Sequence, residues 1–488
     1  MINPITKKVL TVKDLLIKST KLAMALRKML LQKGDVVVLI SENNFHCYVV
    51  ACATFFCGAV LHLVNFAYLQ GELKHAFLLS KPKFIFSSNT AMSNLFLVKD
   101  KIDSIKQIIS VDGNSLFKVR TMKKLIEGVK SCDDFEPTFT NSTETVILLM
   151  SSGTTGLPKC VELTHQSLVP VMNFSCEPNY NHITSKDITV LVMPFIHIYG
   201  FLIHLFAITN SAIVIQLKSF KPDVYLQAVE DYKATKLCVV PTILQFLVGP
   251  IASKFKFPSV QDISIGGGAL SDEVYEKARR KFSRASVRLL YGCTETVGIS
   301  IGQKASDMFN GLGKPVYNTT IKIINRKTNA ILGPYQEGEI CVKTHSMMKG
   351  YLNNPSETKN SFDGNGFYRT GDMGYFDKNQ NFYMVGRVKD LIKYKDYQVS
   401  PAEIEAVVIS YPGVKDCGVV SVKDKTYGEL PLALVVREEG SEVTAKEIIN
   451  FVSAKLSHHK QLHGGVRFVK EIPRSSFGKI LRKELSKL

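Results

Sequence analysis

The sequence predicts an α/β protein in two parts. The larger holds layered, mostly parallel sheets covered by helices, and a small α+β unit follows it. Three observations carry this. Short apolar runs of strand length alternate with helix-length patterns through the first 290 residues. Several of those runs end in loops of small, hydroxyl and ionisable residues. After Gly338 the pattern turns to short strands and turns, and beyond Gly386-Arg387 to a compact unit with two capped helix starts. At 488 residues the chain is too long for one core, and the length suggests about three structural units.

The N-terminal elements follow in order. Leu15 to Leu31 has helical periodicity, Lys33-Gly-Asp is a turn, and Val36 to Ile40 is a buried strand. The run from Phe45 to Leu69 carries no acid, lysine or arginine, which makes it a formal membrane-span candidate. Gly58 divides it into a helix-length piece, Cys47 to Cys57, and a strand-length piece, Ala59 to Val64, so no transmembrane segment is expected. Further strands are Phe84-Ile-Phe, Ile108-Ile-Ser-Val and Thr145 to Met150.

The strand at Thr145 runs into Ser151-Ser-Gly-Thr-Thr-Gly-Leu-Pro-Lys159, a composition suited to wrapping a polyanion. Gly153 and Gly156 let backbone N–H groups converge on phosphate oxygens. Ser151, Ser152, Thr154 and Thr155 add hydroxyl donors, and Lys159 adds a charge. The Walker arrangement is absent, because Cys160 follows the lysine. Four later strands end in comparable loops: Pro194-Phe-Ile-His197-Ile-Tyr199-Gly200, Pro241-Thr242, Gly266-Gly-Gly-Ala-Leu270 and Tyr291-Gly292-Cys-Thr294-Glu295. Ligands in wound sheets sit at the carboxyl ends of strands, so these loops are expected to line one cleft with the phosphate loop. Glu295 reads either as a helix N-terminal acid or as a carboxylate for Mg²⁺ on the phosphates. Tyr368-Arg-Thr-Gly371-Asp372 reads as a turn presenting one acid, suited to the paired hydroxyls of a ribose.

In the small unit, Ser400-Pro-Ala-Glu403 and Thr444-Ala-Lys-Glu447 are capping boxes, with strands Gly418 to Val422 and Leu432 to Val436 between them. The boundary is expected between residues 386 and 387. Lys479, after Gly478 in a late Pro-Arg-Ser-Ser loop, reads in isolation as a solvated charge.

The balance of 61 Lys and Arg against 43 Asp and Glu gives +18. No nucleic-acid-binding signature accompanies it, so polyphosphate ligands are expected rather than nucleic acid. Ten cysteines are scattered without metal or disulfide spacing, as in a reducing compartment. The sequence ends in Ser486-Lys487-Leu488, a peroxisomal address read by an import receptor, and so predicts peroxisomal localisation.

Taken together, these segments resemble the adenylate-forming superfamily: acyl- and aryl-CoA synthetases, coumarate-CoA ligases and beetle luciferases. The resemblance implies a ligase for a fatty or aryl carboxylic acid, with ATP, Mg²⁺ and CoA as cofactor and co-substrates. The carboxylate attacks the α-phosphorus of ATP, and CoA thiol then attacks the acyl-adenylate. It further implies that Ser151 to Lys159 hold the β- and γ-phosphates, that Thr294 meets the α-phosphate and that Glu295 holds Mg²⁺. Tyr291 and Gly292, with Gly267 and Gly268, lie near adenine, and Asp372 binds ribose with help from Arg387. His197, Tyr199 and Gly266 line the acyl pocket. Lys479 neutralises charge during adenylation, then leaves as the small domain swings about Lys389 and brings the segment near Lys393 inward. A luciferase-type oxygenase shares these motifs. Asp396, where the family usually has glycine, faces the CoA channel and points to a third reading, an adenylate-forming protein with impaired CoA transfer.

Overall fold

The computed structural model describes residues 1–113, 117–151, 158–177, 179–180, 183–268, 270–307, 311–394, 397–424, 427–456, 458–475 and 478–488. Of the expected phosphate loop, Ser152, Gly153, Thr154, Thr155 and Gly156 lie outside these residues, as do Ala269 and Asp396.

Four sheets organise the chain. The first has eight strands, with Thr145–Ser151, Val60–Leu63, Val36–Ile40, Phe84–Ser87 and Gln107–Ser110 parallel in that spatial order. The second has seven, and its parallel centre runs Ser286–Tyr291, Asp262–Ile265, Lys236–Val239, Ile188–Leu191 and Ile213–Gln216. These central strands are buried and mostly apolar, with the buried pair Arg288 and Asp262 an exception in the second sheet. The helices Phe45–Phe56 and Ile198–Thr209 share one core between the sheets, where Tyr48 Oη and His204 Nδ1 are bonded at 2.6 Å and Tyr48 packs edge-on against Phe195. The long apolar run therefore folds as helix, turn and strand, and among the described residues no helix is long and apolar enough to cross a membrane.

The third sheet is antiparallel, with strands Thr319–Ile324, Gly338–Thr344, Tyr368–Phe376 and Phe382–Arg387. The fourth begins at Ile392–Tyr394 and builds the small domain on the long hairpin Val414–Asp424 and Gly428–Arg437, with Gly465–Phe468 added parallel. Its own core includes Ile392, Val399, Ile404, Val419, Val435 and Ile448.

Lys159 opens the strand Lys159–Thr164, which pairs antiparallel with Thr145–Ser151. Two sequence expectations change in the fold. Asp372 is not in a turn but within the nine-residue strand Tyr368–Phe376, directly across from Arg387. The box at Ser400 does not form. Its buried hydroxyl donates instead to the Val385 carbonyl at 2.5 Å, and Glu403 takes Lys460 at 2.7 Å, because tertiary partners are nearer than the helix's own N–H groups. The box at Thr444 forms as expected, with Glu447 accepting from the Thr444 N–H at 2.8 Å.

Candidate active site

Among the described residues, the loops that follow four strands of the second sheet come together at its end: Gly266 lies against Tyr199 and the Leu290 carbonyl, and Gly268 against Pro241. Strand Ser286–Tyr291 breaks at Gly292, where a Cβ would lie 1.3 Å from the Gly298 carbonyl oxygen, so only glycine lets the chain fold back so tightly. The fold-back is a 3-10 turn, Thr294–Thr296, ended by Val297 at φ +50°. A β-branched residue in the left-handed region is strained, and this one is held by complete burial. The turn delivers Glu295 into the interior, 8% exposed, where it accepts from the Tyr351 hydroxyl at 3.0 Å. Tyr351 in turn meets the Tyr368 hydroxyl at 3.3 Å.

Across from this turn stands Asp372, 3% exposed. The Tyr291 hydroxyl donates to its Oδ2 at 2.8 Å, and Arg387 Nε lies 3.0 Å from Oδ1. The Asp372 charge raises the Arg387 pKa, and burial with Asp372 raises that of Tyr291. A carboxylate gripped from two sides keeps a fixed direction.

Lys479 is brought into this group from the small domain. The residue is exposed, but desolvation, then Arg387, lower its pKa, while Asp372, Cys293 and Glu295 oppose. The neighbouring Gly478 sits against Thr242, at the start of the helix Pro241–Val248; a Cβ on it would come 2.6 Å from Thr242 Oγ1. The late loop is thus seated on the large domain.

His197 caps the helix Ile198–Thr209, its Nδ1 accepting from the Tyr199 N–H at 3.2 Å. Burial, and then the charge of Lys479, push its pKa down to about 3, so it is a neutral imidazole with its proton on Nε2. Tyr199 packs its ring where a Cβ on Gly266 would lie 3.2 Å from it, and gives its hydroxyl to the Ser264 carbonyl at 3.1 Å. His197, Tyr199 and Gly266 therefore form one wall. Gly267 and Gly268 continue it, approaching Val240 and Pro241.

On the other side of Glu295, Lys159 is ion-paired with Glu357 and lies 4.8 Å from the centre of the Tyr351 ring. Ser151 ends the strand opposite it. Lys389 belongs to the same region, since desolvation and then Lys159 and Arg387 lower its pKa against Asp390 and Glu357. Lys393 stands apart, exposed on the small domain's sheet with its N–H held by Glu429 at 2.8 Å. Among the described residues no cluster of three or more metal-ligating side chains occurs.

A family model described as "AMP-binding enzyme" matches residues 5–352, and one described as "AMP-binding enzyme C-terminal domain" matches residues 403–479. The chain belongs to the AMP-binding enzymes.

Curated relatives of this AMP-binding enzyme include the luciferin 4-monooxygenase of Nipponoluciola cruciata, 37% identical over 474 residues, covering 95% of this chain and 86% of the relative. The 4-coumarate–CoA ligase 1 of Petroselinum crispum is 33% identical over 498 residues, covering 99% and 90%. Among solved structures, ATP-bound MatB from Rhodopseudomonas palustris shares the fold at a TM-score of 0.90 and 24% identity, covering 99% of this chain and 93% of that one. The chain is an adenylate-forming enzyme of the type that includes both ligases and luciferases.

Sequence reading did not single out Tyr351 or Glu357 as part of this site, and it placed Thr242 in a cleft loop without its contact to Gly478. Tyr351 and Glu357 carry no motif of their own, and strand pairing of Gly350–Tyr351 with Val161 and Glu162 brings them in.

Proposed function

We propose that this enzyme is an ATP-dependent carboxylate–CoA ligase for a fatty or aryl carboxylic acid. The observation that carries the reading is Asp372 held between Tyr291 and Arg387, with Lys479 near enough to feel the charges of Arg387, Asp372 and Glu295 and to act on His197, and with Lys159 beyond Tyr351. In adenylation, a carboxylate oxygen attacks the α-phosphorus, the bond to the bridging oxygen breaks, and pyrophosphate leaves with the electron pair. The chain's part is positioning and charge neutralisation. Asp372, held by Tyr291 and Arg387, accepts from the ribose hydroxyls. Thr294 meets the α-phosphate, and Ser151 and Lys159 face the β- and γ-phosphates. Lys479 offsets the charge gathering between carboxylate and α-phosphate, and neutral His197 donates from Nε2 toward the acyl group. In the second step the CoA thiol sulfur forms the bond to the carbonyl carbon, AMP leaves, and the thiol proton passes to solvent.

Glu295 suits Mg²⁺: it is a buried carboxylate that, among the described residues, takes the Tyr351 hydroxyl on Oε1, and the ion takes one or two carboxylates and fills its shell with phosphate oxygens and water. When bound, Mg²⁺ would neutralise phosphate charge. Rotation of the small domain about Lys389, bringing Lys393 inward for the CoA step, belongs to the same reading.

A second reading, a luciferase-type oxygenase, is favoured by the 37% identity to a luciferin 4-monooxygenase. Both share the adenylate. The test is carboxylate-dependent ATP–pyrophosphate exchange over medium-chain, long-chain and aryl acids, followed by CoA-dependent AMP release. Exchange followed by CoA turnover supports the ligase and names its acid class. Exchange with luciferin accompanied by light, and no CoA turnover, selects the second reading. Exchange without either points to Asp396 and an adenylate-only enzyme.

A further inference from the structure

The ion pair between Lys159 and Glu357 is not required by the reaction proposed above, and its placement is built rather than incidental. The strand Gly350–Tyr351 pairs antiparallel with Val161 and Glu162, and the Leu352 N–H donates to the Cys160 carbonyl at 2.8 Å. The backbone next to Lys159 is therefore locked to the segment that carries Glu357. Three residues on, Asn354 caps the helix Pro355–Asn360, its Oδ1 accepting from the Glu357 N–H at 3.2 Å, and Thr358 Oγ1 accepts from the Tyr351 N–H at 2.9 Å. Those bonds hold Glu357 in the first turn of that helix, above the lysine.

Lys159 is 18% exposed in its side chain and Glu357 37%, so the acid is the member with room to leave. The Tyr351 ring under the Lys159 ammonium carries the hydroxyl bonded to Glu295. One aromatic ring thus separates Lys159 from the proposed Mg²⁺ carboxylate. Lys389 and Arg387 add positive charge nearby, and Asp390 adds negative charge.

We propose that Glu357 is an internal stand-in for the β- and γ-phosphates: it pairs with Lys159 in the empty site, yields the lysine to the triphosphate, and takes it back as pyrophosphate departs. This rests on the adenylate-forming ligase reading. A fixed anion that competes for the same cation weakens ATP and pyrophosphate alike, and leaves AMP untouched because AMP has no phosphate at that position. Glu357 is thereby a positioning residue that trades substrate affinity for release of the first product.

The experiment compares Glu357→Gln with the natural full-length enzyme. Binding of ATP, pyrophosphate and AMP is measured by direct titration, and KM for ATP by exchange. Glutamine keeps the shape and the Asn354 cap while removing the charge. The expected result is a KM for ATP and a pyrophosphate inhibition constant both lowered about fivefold, the scale of a partly exposed pair, with AMP affinity unchanged. In a Lys159→Met background the Glu357→Gln change is expected to have no effect on either ligand. Unchanged ATP and pyrophosphate affinity overturns the proposal, and so does an equal shift for AMP, which would mark a general change of the site. A raised Mg²⁺ requirement also overturns it, because Glu357 would then be a metal ligand. If Glu357→Gln unfolds, Glu357→Ala with the same three ligands decides. An enzyme that exchanges normally but ignores Glu357 refutes this inference alone, whereas one that binds no ATP and exchanges with no acid refutes the ligase reading beneath it.

Discussion

Gly478 offers the sharpest way to separate the two half-reactions, because it touches the large domain without touching any reacting atom. It sits at φ +76°, and an added Cβ would meet Thr242 Oγ1 at 2.6 Å and Cγ2 at 2.8 Å. Two costs follow for Gly478→Ala. Holding alanine in the left-handed region costs about 1–2 kcal/mol, and forcing a methyl group into an occupied space costs about 1–3 kcal/mol. Their sum, about 3 kcal/mol, falls only on the seated position of the loop, the position that brings Lys479 beside Asp372 and His197. Adenylation, read as acid-dependent ATP–pyrophosphate exchange, is expected to slow by roughly two orders of magnitude. Thioester formation from supplied acyl-adenylate and CoA is expected to stay within about twofold. Thr242→Ala removes both Oγ1 and Cγ2 but leaves φ unchanged, so in the double variant exchange should recover the steric part, roughly tenfold. Exchange by Gly478→Ala at the natural rate would refute the seating argument. A loss that Thr242→Ala fails to relieve would show that the contact is not where the cost arises.

Other outcomes follow from the same geometry. Lys479→Ala is expected to nearly abolish exchange and spare CoA transfer from supplied adenylate; equal survival of both steps would remove Lys479 from its role. Lys479 acts as a cation whose pKa lies below the ordinary 10.5, so exchange should fall as pH rises through that lowered value, and Lys479→Arg, if active, should lose this basic limb. Tyr291→Phe deletes the donor at 2.8 Å from Asp372 and leaves Arg387 in place, so KM for ATP should rise about tenfold with KM for the acid unchanged. Buried His62 and His204 have pKa values pushed by burial to about 3 and about 4, so the unfolded chain takes up their protons first as pH falls from about 6.5. Stability is full above that pH and lost below it, by about 4 kcal/mol for the pair at pH 5; an unchanged urea midpoint between pH 7 and pH 5 would contradict this.

Local chemistry in the sequence marked the strands, the loops that end them and the kinds of residue in those loops. Apolar runs of strand length have few alternatives inside an α/β core, and Gly58 was enough to split Phe45–Leu69 into the helix and strand that form. The Tyr291, His197 and Gly266 loops converge because parallel strands all deliver their carboxyl ends to one edge. Pairing between distant segments was not readable in this way. Asp372 looked like turn chemistry because Gly371 precedes it, and only the antiparallel neighbour Arg387 makes it a buried strand carboxylate. Ser400 carried a full capping signature, yet the Val385 carbonyl claimed its hydroxyl. Lys159 looked like the end of a phosphate loop, but its partners Glu357 and Tyr351 lie nearly two hundred residues further along the chain. Local propensity acts over a few residues and is written in composition. The partners of a charge depend on which strands lie side by side, a choice made by burying surface across the whole domain, and that choice belongs to the tertiary structure alone.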